Sequence, residues 1–195
     1  MQSQVSPNPG QLPTILTARF SCGPNATWNW DAELTFSLSL VATHPIHAGE
    51  EITVSYCDTL ESREKRHAKL RKMYNIDCKC KYCDLPNAEA LAESDRRRKG
   101  IEEFWSVINP HLMTMSPEDL IKAHLHALVN ISKEGLWYCR SSHFEGLAVA
   151  YQKLGDQQNL RRWGEKARDA YRADGRDGDV LRWDLVLQDG PLTGC

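Results

Sequence analysis

Cys78-Lys-Cys80-Lys-Tyr-Cys83 sets three thiols within six residues, and no other stretch constrains the fold as much. Side chains on so tight a loop can converge on a tetrahedral metal with bonds of about 2.3 Å, the geometry zinc takes with thiolates. One loop of this length does not close the tetrahedron, so a fourth ligand must arrive from elsewhere. Cys22, Cys57, Cys139 and Cys195, or a histidine, are the candidates. Seven cysteines in all is an odd number, and Met1–Gly10 lacks the basic and apolar regions of a signal peptide, which argues against a disulfide framework. A structural zinc site contributes about 10–16 kcal/mol of apparent binding energy, whereas a whole domain is stable by about 5–15 kcal/mol. The metal would therefore decide whether this part of the chain folds.

The charge balance narrows the function. With 24 Lys+Arg against 26 Asp+Glu over 195 residues, the net charge is −2, which excludes a strongly basic nucleic-acid binder. No apolar run approaches the roughly 18 residues of a membrane span. The expectation is an intracellular monomer of the cytoplasm or nucleus, acting on a protein or peptide, with no direct contact to nucleic acid or membrane. The sequons at Asn25 and Asn130 read as chance matches in such a protein.

Hydrophobic periodicity changes along the chain. Residues 1–17, with Pro7, Pro9, Gly10 and Pro13, read as a loose leader. From Ala26 the period is two: Trp28 and Trp30, then Leu34, Phe36, Leu38 and Leu40. Ala48-Gly49-Glu50-Glu51 is a turn and Ile52–Tyr56 a further strand. Asp58, answered by Glu61, predicts a capped helix to about Tyr74 with Leu70, Met73 and Tyr74 on one face. The break near Pro86 divides residues 18–86 from a helical domain over 87–195.

Beyond that break the period is helical. Ile101, Phe104, Trp105 and Ile108 form a buried stripe closed by Pro110. Ser116-Pro117-Glu118-Asp119 opens a helix through about Ile131. Trp137, Phe144, Leu147, Ala148, Tyr151 and Leu154 make the next stripe, stopped by Gly155, and Asp156 caps a helix carrying Leu160, Trp163, Ala167, Ala170 and Tyr171. Successive helix pairs suggest a tetratricopeptide-like array. Arg96-Arg-Arg-Lys99 reads as a solvated helix face, or alternatively as a nuclear-import patch. His124 and His126, two apart on a helix, point in different directions and do not make a metal pair.

Three segments taken in order resemble one family. Ser21-Cys22-Gly23-Pro24-Asn25, Gly49-Glu50-Glu51-Ile52-Thr53-Val54-Ser55-Tyr56 and Cys78-Lys-Cys80-Lys-Tyr-Cys83 are similar to the C-terminal half of a SET domain and its post-SET zinc loop, over roughly Ala18 to Cys83. Such domains are S-adenosylmethionine-dependent protein-lysine methyltransferases, and the cysteine spacing with a helical C-terminal region is most like the SET-and-MYND and fungal-type members. The resemblance implies an α+β fold: a partial SET β-fold with its zinc loop, then an all-helical domain. It implies that Cys22 joins Cys78, Cys80 and Cys83 on a structural zinc. Tyr56 becomes the active-site tyrosine, and Tyr74, Ile76 and Asn25 become contacts to S-adenosylmethionine.

The same pattern has gaps. The family writes Asn-His immediately before Ser-Cys-x-Pro-Asn, and here the text is Ala18-Arg19-Phe20-Ser21-Cys22. The upstream strands, the Gly-x-Gly cofactor loop and a MYND finger are not found. The expectation is therefore a truncated SET domain that does not methylate as it stands. The alternative is a zinc-stabilised helical interaction scaffold without catalysis.

Overall fold

The computed structural model of the protein describes residues 18–31, 37–111 and 114–189. The expected leader over 1–17, the positions of Leu34 and Phe36 and the candidate ligand Cys195 lie outside them. Among the described residues four short strands come first: β1 (Arg19–Phe20), β2 (Ala26–Asp31), β3 (Ser37–Ala42) and β4 (Thr53–Val54). β2 and β3 form an antiparallel hairpin in which Ala26 faces Ala42 and Asp31 faces Ser37. β1 runs parallel to β4, Phe20 opposite Val54. A small core of Ala18, Ala26 and Val54 lies between them.

The strand expected over Ile52–Tyr56 pairs only at Thr53 and Val54. Ser55 ends it, because its Oγ donates to the Cys57 carbonyl at 2.6 Å and accepts the Cys57 amide at 3.3 Å, closing a local turn. That turn swings Tyr56 out of the ladder. The following helix also starts later than the sequence predicts. Asp58 Oδ1 accepts from the Leu60 amide in a side-chain turn, and Ser62 is the residue that caps α1 (Arg63–Tyr74). The buried face of α1 is Arg66, His67 and Leu70, while Met73 and Tyr74 are exposed. Asn75, left-handed at φ 53°, stops α1 and turns the chain into the cysteine loop.

Asn87 caps α2 (Ala88–Glu102), and Glu103 separates it from α3 (Phe104–Ile108). The single helix expected through this stretch is therefore two, although Ile101, Phe104 and Ile108 are all buried. Ser116 caps α4 (Pro117–Glu134), which runs three residues past the expected end to a left-handed Gly135. Trp137 sits in a short 3-10 turn ahead of α5 (Ser141–Lys153), so the expected stripe is split; Leu147 and Ala148 are buried, Leu154 exposed. Asp156 caps α6 (Gln157–Ala173), and α7 (Asp177–Asp189) follows. From α4 onward each helix packs on the next, and α2 packs on α4. Leu160, Ala167, Tyr171 and Trp183 hold α6 to α7 and, with Ala148, to α5. No helix among the described residues is long and apolar enough to cross a membrane.

Candidate metal centre and adjoining cleft

The β1–β2 connection delivers Cys22 to the loop that follows α1. The Sγ atoms of Cys22, Cys78, Cys80 and Cys83 lie within 4.8 Å of one another, with Cys22 and Cys83 3.4 Å apart. A tight turn, with the Cys83 amide donating to the Cys80 carbonyl at 2.8 Å, brings the last two together. Cys57 and Cys139, weighed as fourth ligands, are not part of this group. As four thiols the cluster is crowded. Cys22 is pushed up by hydrogen bonds to Cys78, Cys80 and Cys83 and by burial, and Cys83 is held down by its hydrogen bonds to the other three. Four soft sulfur donors at this spacing can hold a metal ion.

A buried cation tests that fit. Arg66 is fully buried, with Nε 3.3 Å from Cys22 Sγ and Nη2 3.8 Å from Cys83 Sγ. Burial opposes its charge, but Cys22 and Cys83 more than offset this and raise its pKa. A guanidinium aimed at sulfur is stabilised by thiolate, not by thiol. A tetrathiolate around a divalent ion carries net negative charge, and Arg66 offsets part of it. The donor set and its counter-charge therefore fit a metal.

A second buried arginine ties the centre to the helices. Arg98 donates through Nη1 to the Cys22 carbonyl at 2.9 Å and through Nε to Glu134 Oε2 at 2.9 Å. Arg97 meets Glu134 Oε1 at 2.7 Å. The run Arg96–Lys99 is thus not wholly a solvated face, because Arg97 and Arg98 turn inward while Arg96 and Lys99 stay exposed. Tyr82, inside the cysteine loop, lies against two glycines. A Cβ at Gly23 would sit 2.2 Å from Tyr82 Cε2, and one at Gly135 2.0 Å from its hydroxyl. Only glycine leaves room for the ring.

Beside the four cysteines a cavity of about 540 Å³ is lined by Phe20, Ser21, Thr53, Ile76 and Cys78–Cys80, with Arg19 and Glu51 paired at its rim. Tyr56 stands nearby, its ring 5.5 Å from Phe20 and 5.3 Å from Tyr74, and its hydroxyl donates to the Ala18 carbonyl at 3.1 Å. Tyr56, Tyr74 and Ile76 are therefore gathered around the cysteine loop. Asn25 is placed differently. It is 5% exposed; its amide donates to the Glu51 carbonyl at 2.8 Å and its Oδ1 accepts from the Thr53 amide at 2.7 Å, so its side chain fastens β4. Asn130, in the other sequon, is also buried.

Sequence reading missed Arg66, Arg98 and Phe20. Arg98 could have been found from the stripe, since it lies three residues before Ile101 and four after Ser94, both buried on α2. His124, read only against His126, meets His143 instead: their Nδ1 atoms are 3.2 Å apart, both rings are buried, and Phe104 and Trp105 pack around them.

With this geometry in place, the chain can be compared with known proteins. The family model of the SET domain matches residues 11–57. Histone-lysine N-methyltransferase SMYD3 of Mus musculus is 30% identical over 115 residues, covering 59% of this chain and 24% of that protein. N-lysine methyltransferase SMYD2 of Sus scrofa is 27% identical over 179 residues, covering 80% and 39%. Histone-lysine N-methyltransferase set5 of Schizosaccharomyces pombe is 27% identical over 119 residues, covering 61% and 36%. The matched stretches span between about a quarter and two fifths of these relatives. The architecture is a partial SET fold followed by a helical C-terminal region, and the chain is similar to SET- and SMYD-type lysine methyltransferases.

Proposed function

We propose that residues 18–86 form the C-terminal part of a protein-lysine methyltransferase site, with a structural zinc on Cys22, Cys78, Cys80 and Cys83. The observation that carries this reading is the position of Tyr56, between Phe20 and Tyr74 beside the cleft that the cysteine loop borders. A lysine has a pKa near 10.4, so presenting it as a neutral nucleophile at pH 7 costs about 4.6 kcal/mol. An aromatic channel lowers that cost by desolvation. The Tyr56 hydroxyl, held by the Ala18 carbonyl, keeps lone pairs free to accept an amine N–H and fix its direction. Phe20, Tyr74 and Ile76 offer flat apolar surface to an adenine, and Asn25 holds the strand leading to Tyr56. S-adenosylmethionine, when bound, supplies the sulfonium methyl. The zinc closes the loop that carries Ile76 and leaves no open position for catalysis.

The chain as it stands transfers no methyl group in this reading. Arg19 and Phe20 occupy the Asn-His positions; Arg19 turns out to Glu51 at 3.1 Å and Phe20 has no polar side-chain group. That same substitution favours a second reading, in which the zinc-bearing fold and its tetratricopeptide-like helices act as a monomeric intracellular scaffold for a protein partner.

A chimaera separates the two. Residues 18–83, with Arg19→Asn and Phe20→His, replace the matching stretch of the pig SMYD2 enzyme, and tritiated methyl transfer to a lysine-rich protein is counted. Activity that Tyr56→Phe abolishes supports the methyltransferase reading. A folded, zinc-loaded chimaera without activity leaves the scaffold. Methyl transfer by the unaltered chain, lost in Tyr56→Phe, overturns its inactivity.

A further inference from the structure

Cys22 is the ligand whose placement needs an explanation. The other three sit on one loop and are positioned by its turns, whereas Cys22 lies in the irregular stretch between β1 and β2. Its carbonyl is fixed from the opposite part of the molecule by Arg98 of α2, 76 residues away. Arg98 is itself fully buried and fixed on several sides. Nη1 also donates to the Thr59 carbonyl, and Nε binds Glu134 Oε2. Glu134, 1% exposed at the end of α4, has both oxygens engaged: Oε2 also accepts from Ser94 Oγ at 2.7 Å, and Oε1 from Arg97.

We propose that Arg98, held by Glu134, is a positioning residue for the metal ligand Cys22, so that metal affinity is set partly by the helical region. The inference rests on the zinc reading above. A peptide carbonyl held by a rigid, planar donor fixes the plane of the peptide that follows Cys22 and so narrows the directions open to its Cα–Cβ bond. Tetrahedral coordination tolerates little error in that direction, and groups that orient a ligand from behind commonly change metal affinity by about 10–100-fold. Arg66 acts differently, facing sulfur directly. Arg98 touches no sulfur in its bonds and works through the backbone. The Tyr82 ring, seated over Gly23 and Gly135, holds the residue after Cys22 from the other side.

The test compares the full chain with Arg98→Met, Arg98→Lys and the paired Arg98→Met/Glu134→Leu. The pair removes both buried charges together, which avoids stranding one ion and protects the fold. Zinc affinity is measured against a chromophoric chelator, cobalt(II) absorption reports the tetrahedral thiolate geometry, and far-UV circular dichroism reports the helices. Arg98→Met and the paired variant should bind zinc about 10–100-fold more weakly, with an altered cobalt spectrum and parental helical signal. Arg98→Lys, which keeps a charged donor, should recover part of the loss. Parental affinity and cobalt spectrum in the paired variant overturn the role of Arg98. Loss of the helical signal together with the metal replaces positioning by a purely structural role. A parent chain that takes up neither metal overturns the zinc reading, and this inference falls with it.

Discussion

The two parts of this molecule are held together by different chemistry. Around β1, β4 and the cysteine loop, the buried set is Cys22, Cys78, Cys83 and Leu70 about a guanidinium, with Ala18, Ala26 and Val54 as a small neighbour. In the helical region, Leu120, Ile131, Leu147, Leu160, Tyr171 and Trp183 fill the contacts between successive helices. At about 25 cal/mol per Å² of apolar surface, a handful of small side chains cannot offset the ordering of some sixty residues, whereas stacked helices supply that surface themselves. On the zinc reading proposed above, the first part depends on a metal, whereas the second depends on its side chains alone.

Metal removal is expected to separate the two parts most strongly. Chelation, or Cys22→Ser, should forfeit up to about 10–16 kcal/mol of apparent binding energy and unfold the strands and cysteine loop while α4–α7 keep most of their signal at 222 nm. A single cooperative loss of all structure would show that the two parts are not separable. A smaller effect is expected from the opposite side. Leu147→Ala in the fully buried centre of α5 should destabilise the helical transition by about 2–5 kcal/mol, read by thermal denaturation, with zinc affinity unchanged.

Acid acts on the helical part through two buried histidines. Burial lowers both His124 and His143 to about 4, with His124 adding to the effect on His143. An imidazole with a folded pKa below its unfolded value of 6.5 takes up its proton more readily in the unfolded chain. Its contribution is therefore full above about pH 6.5 and is lost as pH falls toward 4. The loss amounts to about 3 kcal/mol for one ring. The melting temperature of the helical region should fall between pH 7 and 4.5; a flat profile would mean that the rings open to water without cost.

Local signals were the legible ones. Ser116-Pro117, Asp156 and the Gly155 stop act within one turn of their own helix, and each cap stands where the sequence puts it. The cysteine loop was legible as a candidate ligand set because three of its thiols are local; Cys22 required the family resemblance, since nothing in its own surroundings announces a partner 61 residues on. Arg66 and Arg98 escaped because an arginine is buried only when its counter-charge is, and Glu134 lies 36 residues past Arg98. The helix starts at Ser62 rather than at the expected Asp58, because Asp58 spends its oxygen on Leu60. The His124–His143 contact, 19 residues apart on adjacent helices, is likewise a property of packing rather than of spacing.

The reach of Arg98 carries a consequence for the order of folding. Cys78, Cys80 and Cys83 can meet a metal as soon as their own loop forms, on the timescale of closing a short loop. Cys22 joins only when a loop of 61 residues closes, and its orientation waits until α2 and α4 have met through Arg98 and Glu134. On the zinc reading proposed above, the metal is captured by three ligands early and completed by the fourth late. On that reading the ion stays exchangeable until α2 and α4 meet, so its retention follows from how soon the helical region packs.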